Sequence, residues 1–206
     1  MVLKVKQFGI QRSGTNYIRQ LLLDNVQKVI VYEHQFGRKH AAPFSKKRLE
    51  EWAAKHNRPM ITKEDDVHPI IIIKNPYSWY QSIKNYKNNK FSLHDSYNKY
   101  NRLYKAYKDL YVKGHKIFGE AYIVQYEVLL VDPKTEVAKI VNKFGGKLKK
   151  TFKDPDKVIM SDKFTPARRE FYLGASDFGL DKEIIKMINE IIDWDTIEFY
   201  GYKRRN

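Results

Sequence analysis

The segment QFGIQRSGTNYIRQLL, Gln7 to Leu22, constrains the fold more than any other part of the chain. It completes a short apolar and β-branched run that predicts a strand over Val2–Phe8. Gly9 and Gly14 follow, five residues apart, with Thr15 directly after the second. Ile18, Leu21, Leu22 and Val26 then recur at helical spacing, so an amphipathic helix starts near Thr15. A strand, a turn bounded by glycines and a helix N-terminus form an anion cradle from backbone geometry alone. Glycine admits close approach, and the first helical N–H groups have no partner inside the helix. Arg12, Ser13, Thr15 and Asn16 add side-chain donors around Gly14. A charge-assisted hydrogen bond there contributes roughly 1.5–3 kcal/mol, about twice a neutral one. The purely structural alternative is a tight strand–helix turn capped by hydroxyls.

Strand and helix signals alternate along the rest of the chain. "KVIVY", Lys28–Tyr32, predicts a second strand, and Ser45–Lys55 a helix with Ser45 as its cap and Leu49, Trp52 and Ala53 on its buried side. Ile70–Ile73 is apolar without alternation, as expected of a strand covered on both faces. Helices are expected over Trp79–Tyr86 and Leu93–Lys113, a fourth strand over Ala121–Gln125, and a helix opened by Asp132 and Pro133 and closed by Gly145-Gly146. The last clear helix is Lys182–Ile192, and the weakest ordering is expected at 147–157. Alternating strands and helices predict a three-layer α/β/α fold around a mostly parallel sheet, similar to that of P-loop NTPases.

A chain of 206 residues can bury one substantial core, so residues 1–206 are expected to form a single domain with a Lys/Tyr-rich helical segment at about 86–113. Hydrophobic content of 42% excludes a disordered polyelectrolyte, and the absence of cysteine excludes disulfides and cysteine metal sites. His56, His68, His94 and His115 fall at no metal-ligand spacing, so no metal site is expected. No apolar run approaches the roughly 20 residues that span a bilayer, and the chain opens on no apolar signal core; a soluble, cytoplasmic protein is the expectation. Thirty-nine Lys and Arg stand against 24 Asp and Glu, a net charge of +15, which calls for an anionic partner.

A second feature narrows the choice of anion. An ATPase or kinase P-loop works with Mg²⁺ held partly by a carboxylate at the end of a neighbouring apolar strand. Here the cradle has Thr15 and Asn16 where such a loop puts its lysine, and the apolar strand in "PIIIIKNPYSWYQSI" ends in Lys74. Glu64, Asp65 and Asp66 precede that strand and belong at its other end. The carboxyl edge of the sheet is therefore expected to carry two basic sites, which suits a nucleoside bearing phosphate at both ends.

Three segments in order resemble one family. "QRSGTNYIRQLL" is similar to the 5′-phosphosulfate loop of sulfotransferases that use 3′-phosphoadenosine 5′-phosphosulfate. "KNPYSWYQS" resembles their 3′-phosphate motif, with Lys74 and Ser82 at the family's spacing of eight and Lys74 in place of the usual Arg. "VQYEVLLVDPKTEVAKIVNKFG" resembles their Tyr-Glu-x-Leu-Leu-x-x-Pro segment, and "DWDTIEFYGY" the ending of short members. The resemblance implies a sulfotransferase that transfers a sulfuryl group, without metal, to a hydroxyl of an acceptor such as a glycan, leaving 3′,5′-adenosine bisphosphate. It implies that Arg12, Ser13, Gly14, Thr15, Asn16, Lys74 and Ser82 bind the nucleotide and that Arg12 also steadies the leaving phosphate. Because Lys lacks the planar fork of Arg, Arg168 or Arg169 is a candidate second cation. The base is expected among Glu33, His34 and His40 after the second strand; Phe36-Gly37-Arg38-Lys39-His40 resembles the "FGWKH" of short members, which selects His40. Net positive charge favours an acidic acceptor.

Three rival readings remain: a P-loop nucleotide kinase or NTPase, a basic nucleic-acid-binding module, and a catalytically inactive relative that only binds nucleotide. The second would use Tyr97, Tyr100, Tyr104, Tyr107 and Tyr111, which step by three and four along one helical face. Packing of that stripe, and of Trp79 and Tyr80, against the sheet is the expected use.

Overall fold

The structure is a computed structural model that describes residues 1–60, 62–87, 92–155, 166–174 and 177–205, with the backbone alone described at Glu64, Lys87, Arg168 and Asp177. Its strands are β1 (Leu3–Gly9), β2 (Val29–Tyr32), β3 (Val67–Ile73) and β4 (Tyr122–Gln125). The helices are α1 (Thr15–Asn25), α2 (Lys46–Lys55), α3 (Pro76–Lys87), α4 (Leu93–Lys113), α5 (Tyr126–Val131), α6 (Pro133–Phe144), α7 (Pro166–Leu173), α8 (Lys182–Ile191) and α9 (Trp194–Glu198). The strands lie in the order β2-β1-β3-β4, and the pairings between them are parallel. Helices cover both faces, which gives the expected three-layer α/β/α arrangement.

The two faces have separate cores because successive side chains of a strand point oppositely. Leu3 and Val5 of β1, with Ile70 and Ile72 of β3, pack against α1, α5 and α6. Phe8, Ile71 and Ile73 pack on the other side with α3, α4, α8 and α9. Central strands buried on both faces need apolar residues at nearly every position, hence the run without alternation at Ile70–Ile73.

Local signals set several boundaries as expected. Asp132 accepts from Thr135 N at 3.0 Å, Pro133 opens α6, and Gly145 closes it at φ 74°. Ser45 accepts from Arg48 N at 3.4 Å ahead of α2. β3 begins three residues before the apolar run: Val67, His68 and Pro69 already stand in register with Lys4, Val5 and Lys6 of β1, and the His68 ring is stacked on Phe144 at 4.1 Å. α3 begins at Pro76: the Asn75 side chain accepts from Tyr77 N at 2.9 Å, an N-cap followed by proline. α5 follows β4 with no loop between, so the apolar stretch YIVQYEVLLV shows no break in period to announce it. Residues 147–153 are better anchored than their composition suggests. Lys149 N donates to Asn25 O at 2.8 Å and Lys153 N to Asn25 Oδ1 at 2.6 Å, which ties the stretch to the end of α1; residues 156 and 157 lie outside those described.

The tyrosines of α4 are core residues: Tyr97, Tyr100, Tyr104 and Tyr107 are fully buried, while Tyr111 is 45% exposed. Their hydroxyls end on backbone. Tyr97 donates to Pro76 O at 2.9 Å, Tyr100 to Lys74 O at 2.6 Å, and Tyr104 accepts from Lys74 N at 2.7 Å. The stripe therefore packs a helix on the sheet and also fixes the turn that leaves β3.

Candidate functional site

The strand order creates the site. From β1 the chain goes outward to β2, then crosses back over β1 to β3, so β1 and β3 are neighbours whose following connections diverge. In open parallel sheets a crevice forms outside the carboxyl ends at such a point, and ligands bind there. The glycine turn follows β1 and Lys74 follows β3, one on each wall.

Close packing makes the turn. A Cβ on Gly9 would stand 2.7 Å from Ser13 Oγ and 2.9 Å from Ile72 O, and one on Gly14 only 2.2 Å from the Tyr126 ring. Gly14 is at φ 95°, a conformation that favours glycine, and Arg12 takes φ 69°. Ser13 N donates to Ile10 O at 3.1 Å, and the Trp79 indole donates to Gln11 O at 2.8 Å. Gln7 Nε2 donates to Thr15 O. Thus β1, α3 and the turn itself hold the cradle open at the start of α1. Ser13 is fully buried, and among the described residues its Oγ has no hydrogen-bond partner. A buried hydroxyl without a partner carries a cost of about 1–3 kcal/mol that a bound oxyanion would relieve.

Lys74 joins the same rim. Its Nζ donates to Ser82 Oγ at 2.8 Å, nearly two helical turns into α3, and reaches Arg12 O at 3.4 Å. The ammonium lies 4.6 Å from the centre of the Tyr126 ring and 3.9 Å from that of Tyr172. Ser82 Oγ donates to the Tyr172 hydroxyl at 3.2 Å. Lys74 is 1% exposed, so Tyr172, on α7, roofs it. The Arg12 guanidinium stands 5.4 Å over the Tyr86 ring near the end of α3. Residues 12–16, 74 and 82 are thereby brought together.

Tyr126 and Glu127 had been legible only as parts of a motif; the structure gives each a task. Tyr126 packs between Gly14 and Lys74. Glu127 accepts from Asn75 N at 3.0 Å, from Ser78 Oγ at 3.2 Å and from the Tyr202 hydroxyl at 2.6 Å. This carboxylate caps the start of α3. Arg169 pairs with Asp154, which also accepts from the Tyr17 hydroxyl at 2.7 Å, and donates to Leu130 O at 3.1 Å. Those partners tie α7 to α1 and α5; the Arg168 side chain lies outside what is described.

On the other wall, the segment after β2 carries the three base candidates. His40 Nδ1 is 2.7 Å from Gly9 O. A carbonyl only accepts, so Nδ1 holds the proton and Nε2 keeps its lone pair. Burial lowers the His40 pKa, the charges of Lys39, Lys99 and His34 act in the same direction, and the Gly9 bond opposes them. At neutral pH the ring is a neutral base. For Glu33, burial raises the pKa, but the hydrogen bond and charge of Lys39, with Arg19 at 3.0 Å, outweigh it and hold the carboxyl below its ordinary value. Its carboxylate serves as a counter-ion. His34 is exposed. Lys39 also donates to Asn16 Oδ1 at 2.7 Å, and Gly9 N donates to Lys39 O at 2.9 Å, so this segment lies along the cradle.

Compared with models of known protein families and with curated proteins, the chain matches none. Among the described residues no group of three or more His, Cys, Asp and Glu side chains is placed to hold a metal ion, and no helix is long and apolar enough to cross a membrane.

Proposed function

We propose that this protein transfers a sulfuryl group from 3′-phosphoadenosine 5′-phosphosulfate to a hydroxyl-bearing acceptor. The observation that carries this reading is the pairing of two cationic anion sites on one rim: the Gly9–Gly14 cradle with Arg12, and Lys74 with Ser82, joined where Lys74 Nζ meets Arg12 O at 3.4 Å. A nucleoside phosphorylated at both ends matches that pair.

In this reading the 5′-phosphosulfate lies in the cradle, against the first amides of α1, Arg12 and the buried hydroxyl of Ser13. The 3′-phosphate meets Lys74 and Ser82 after the Tyr172 ring has swung aside. The acceptor oxygen forms a bond to sulfur as the sulfur–oxygen bond to the 5′-phosphate breaks, and the acceptor proton passes to His40 Nε2. Charge growing on the leaving phosphate is stabilised by Arg12 and the loop amides, which are already oriented before the reaction begins. The neutral Nδ1-protonated tautomer of His40 supports its role as base over Glu33, whose carboxylate is engaged by Lys39 and Arg19.

Titration calorimetry in EDTA tests the reading. Binding of 3′,5′-adenosine bisphosphate at least about tenfold tighter than AMP is expected, since one additional charged hydrogen bond contributes roughly 1.5–3 kcal/mol. Equal affinity for the two nucleotides, or tighter binding of ATP that requires Mg²⁺, overturns it.

A further inference from the structure

Lys6 lies in the middle of β1 with its side chain fully buried, and nothing in the proposed chemistry uses it. Lysine is among the residues least often fully buried, because its ammonium must find polar partners away from water. Here the partners are two backbone carbonyls of one turn. Nζ donates to Glu33 O at 2.8 Å and to Gly37 O at 2.6 Å, and it stands 5.3 Å from the centre of the Phe8 ring. The bridged turn is itself unusual, with Phe36 at φ 61° and Gly37 at φ 105° in succession. Immediately after it come Lys39, which pairs with Glu33 and Asn16, and His40, which bonds Gly9 O.

We infer that Lys6 is a positioning residue: its ammonium clamps both ends of the Glu33–Gly37 turn from inside the sheet and so sets where Lys39 and His40 stand beside the phosphate cradle. The part of this inference that concerns catalysis rests on the sulfotransferase reading; the clamp itself does not. The ammonium suits the place because it brings several donors to two carbonyl acceptors, where a carboxylate would face them with like partial charge. Burial lowers the Lys6 pKa to about 7; of the charged groups facing it, the Glu33 carboxylate favours protonation and is outweighed, while the Lys39 ammonium acts in the same direction as burial. The clamp therefore weakens near neutrality, as the ammonium loses a proton and its donors carry less charge.

The test compares wild type with Lys6→Met by amide hydrogen exchange. Exchange across residues 33–41 should accelerate at least about tenfold while α6 keeps its protection, because local opening is separable from global unfolding. Unchanged exchange at 33–41 overturns the clamp, and so does equal acceleration in α6, which would mean a general role in stability. The wild-type protein answers the same question without a substitution. In an NMR titration, the amides of residues 35–41 should show, besides the step that follows the His40 ring, an inflection that coincides with that of the Lys6 side-chain signal; its absence overturns the proposal. Turnover separates the two levels of inference. In Lys6→Met it should fall by about tenfold or more, with affinity for 3′,5′-adenosine bisphosphate within about twofold of wild type, as misplacement of a base predicts. Turnover at the wild-type level overturns the positioning role. Failure of wild type to prefer 3′,5′-adenosine bisphosphate over AMP refutes the sulfotransferase reading, while the exchange result still decides whether Lys6 holds the turn.

Discussion

Replacing Lys74 with Met separates what the ammonium does for the fold from what it does for a ligand. In the free protein Lys74 is 1% exposed, bonded to Ser82 Oγ at 2.8 Å and enclosed by the Tyr126 and Tyr172 rings. A desolvated cation–π contact is worth about 2 kcal/mol and the hydroxyl hydrogen bond about 1.5 kcal/mol or more. Against these stands the cost of burying an ammonium, several kcal/mol. Met fills nearly the same volume without the charge, so the terms oppose and stability should change by no more than about 2 kcal/mol, or about 4–8 °C in Tm for a chain of this size. The ligand term has no such compensation. Losing a charged hydrogen bond to the 3′-phosphate should weaken 3′,5′-adenosine bisphosphate by about 10- to 150-fold. AMP lacks that phosphate, so its affinity should be nearly unchanged. The assay is the ratio of the two dissociation constants by calorimetry, with thermal melting as the control for folding. A folded Lys74→Met protein that keeps the wild-type ratio, or loses affinity for both nucleotides alike, refutes the assignment of Lys74 to the 3′-phosphate.

Three further outcomes are expected. Gly14→Ala adds a Cβ 2.2 Å from the Tyr126 ring at a residue with φ 95°, so it should destabilise by about 2–4 kcal/mol in chemical denaturation and also weaken nucleotide binding, because Tyr126 must leave its place beside Lys74. His40→Ala should lower turnover by about 10²–10⁴-fold with nucleotide affinity nearly intact. In wild type, turnover should rise with pH as His40 loses its proton and fall again above about pH 7, where Lys6 loses its own and the clamp weakens. The midpoint of the rise belongs on the acid side of an ordinary histidine, since burial disfavours the charged ring; a midpoint above pH 7 would contradict the environment seen here. Tyr104→Phe removes the acceptor for Lys74 N and leaves a buried N–H without it, so a loss of about 1–3 kcal/mol is expected in denaturant unfolding; a neutral result would mean that α4 does not hold the turn after β3.

Elements governed by near neighbours were legible in the sequence. α4 runs over Leu93–Lys113 as its tyrosine spacing predicts, and α6 opens and closes on Asp132, Pro133 and Gly145, because periodicity and caps act within a few residues. The cradle was legible for the same reason: Gly9, Gly14 and the start of α1 are contiguous. α5 was not, since an apolar strand leading directly into a six-residue apolar helix gives no change of pattern. Nor was the anchoring of residues 147–153, which depends on Asn25 at the end of α1 and Gln27 just beyond it.

The candidate site divides along the same line. The sequence alone determined an alternating α/β chain, a glycine-bounded turn rich in donors at a helix start, and a cation where the most apolar strand ends, because each of these is written in consecutive residues. Only the tertiary structure decided that the turn and Lys74 share the β1/β3 crevice, that Tyr126 and Tyr172 enclose the ammonium, that Glu33 is tied up by Arg19 and Lys39 while His40 bonds Gly9 O through Nδ1, and that Lys6 grips the turn between them. Those relations join residues from 6 to nearly 100 positions apart, and burial and partners, which set the chemistry of an ionisable group, exist only once the sheet has brought them together.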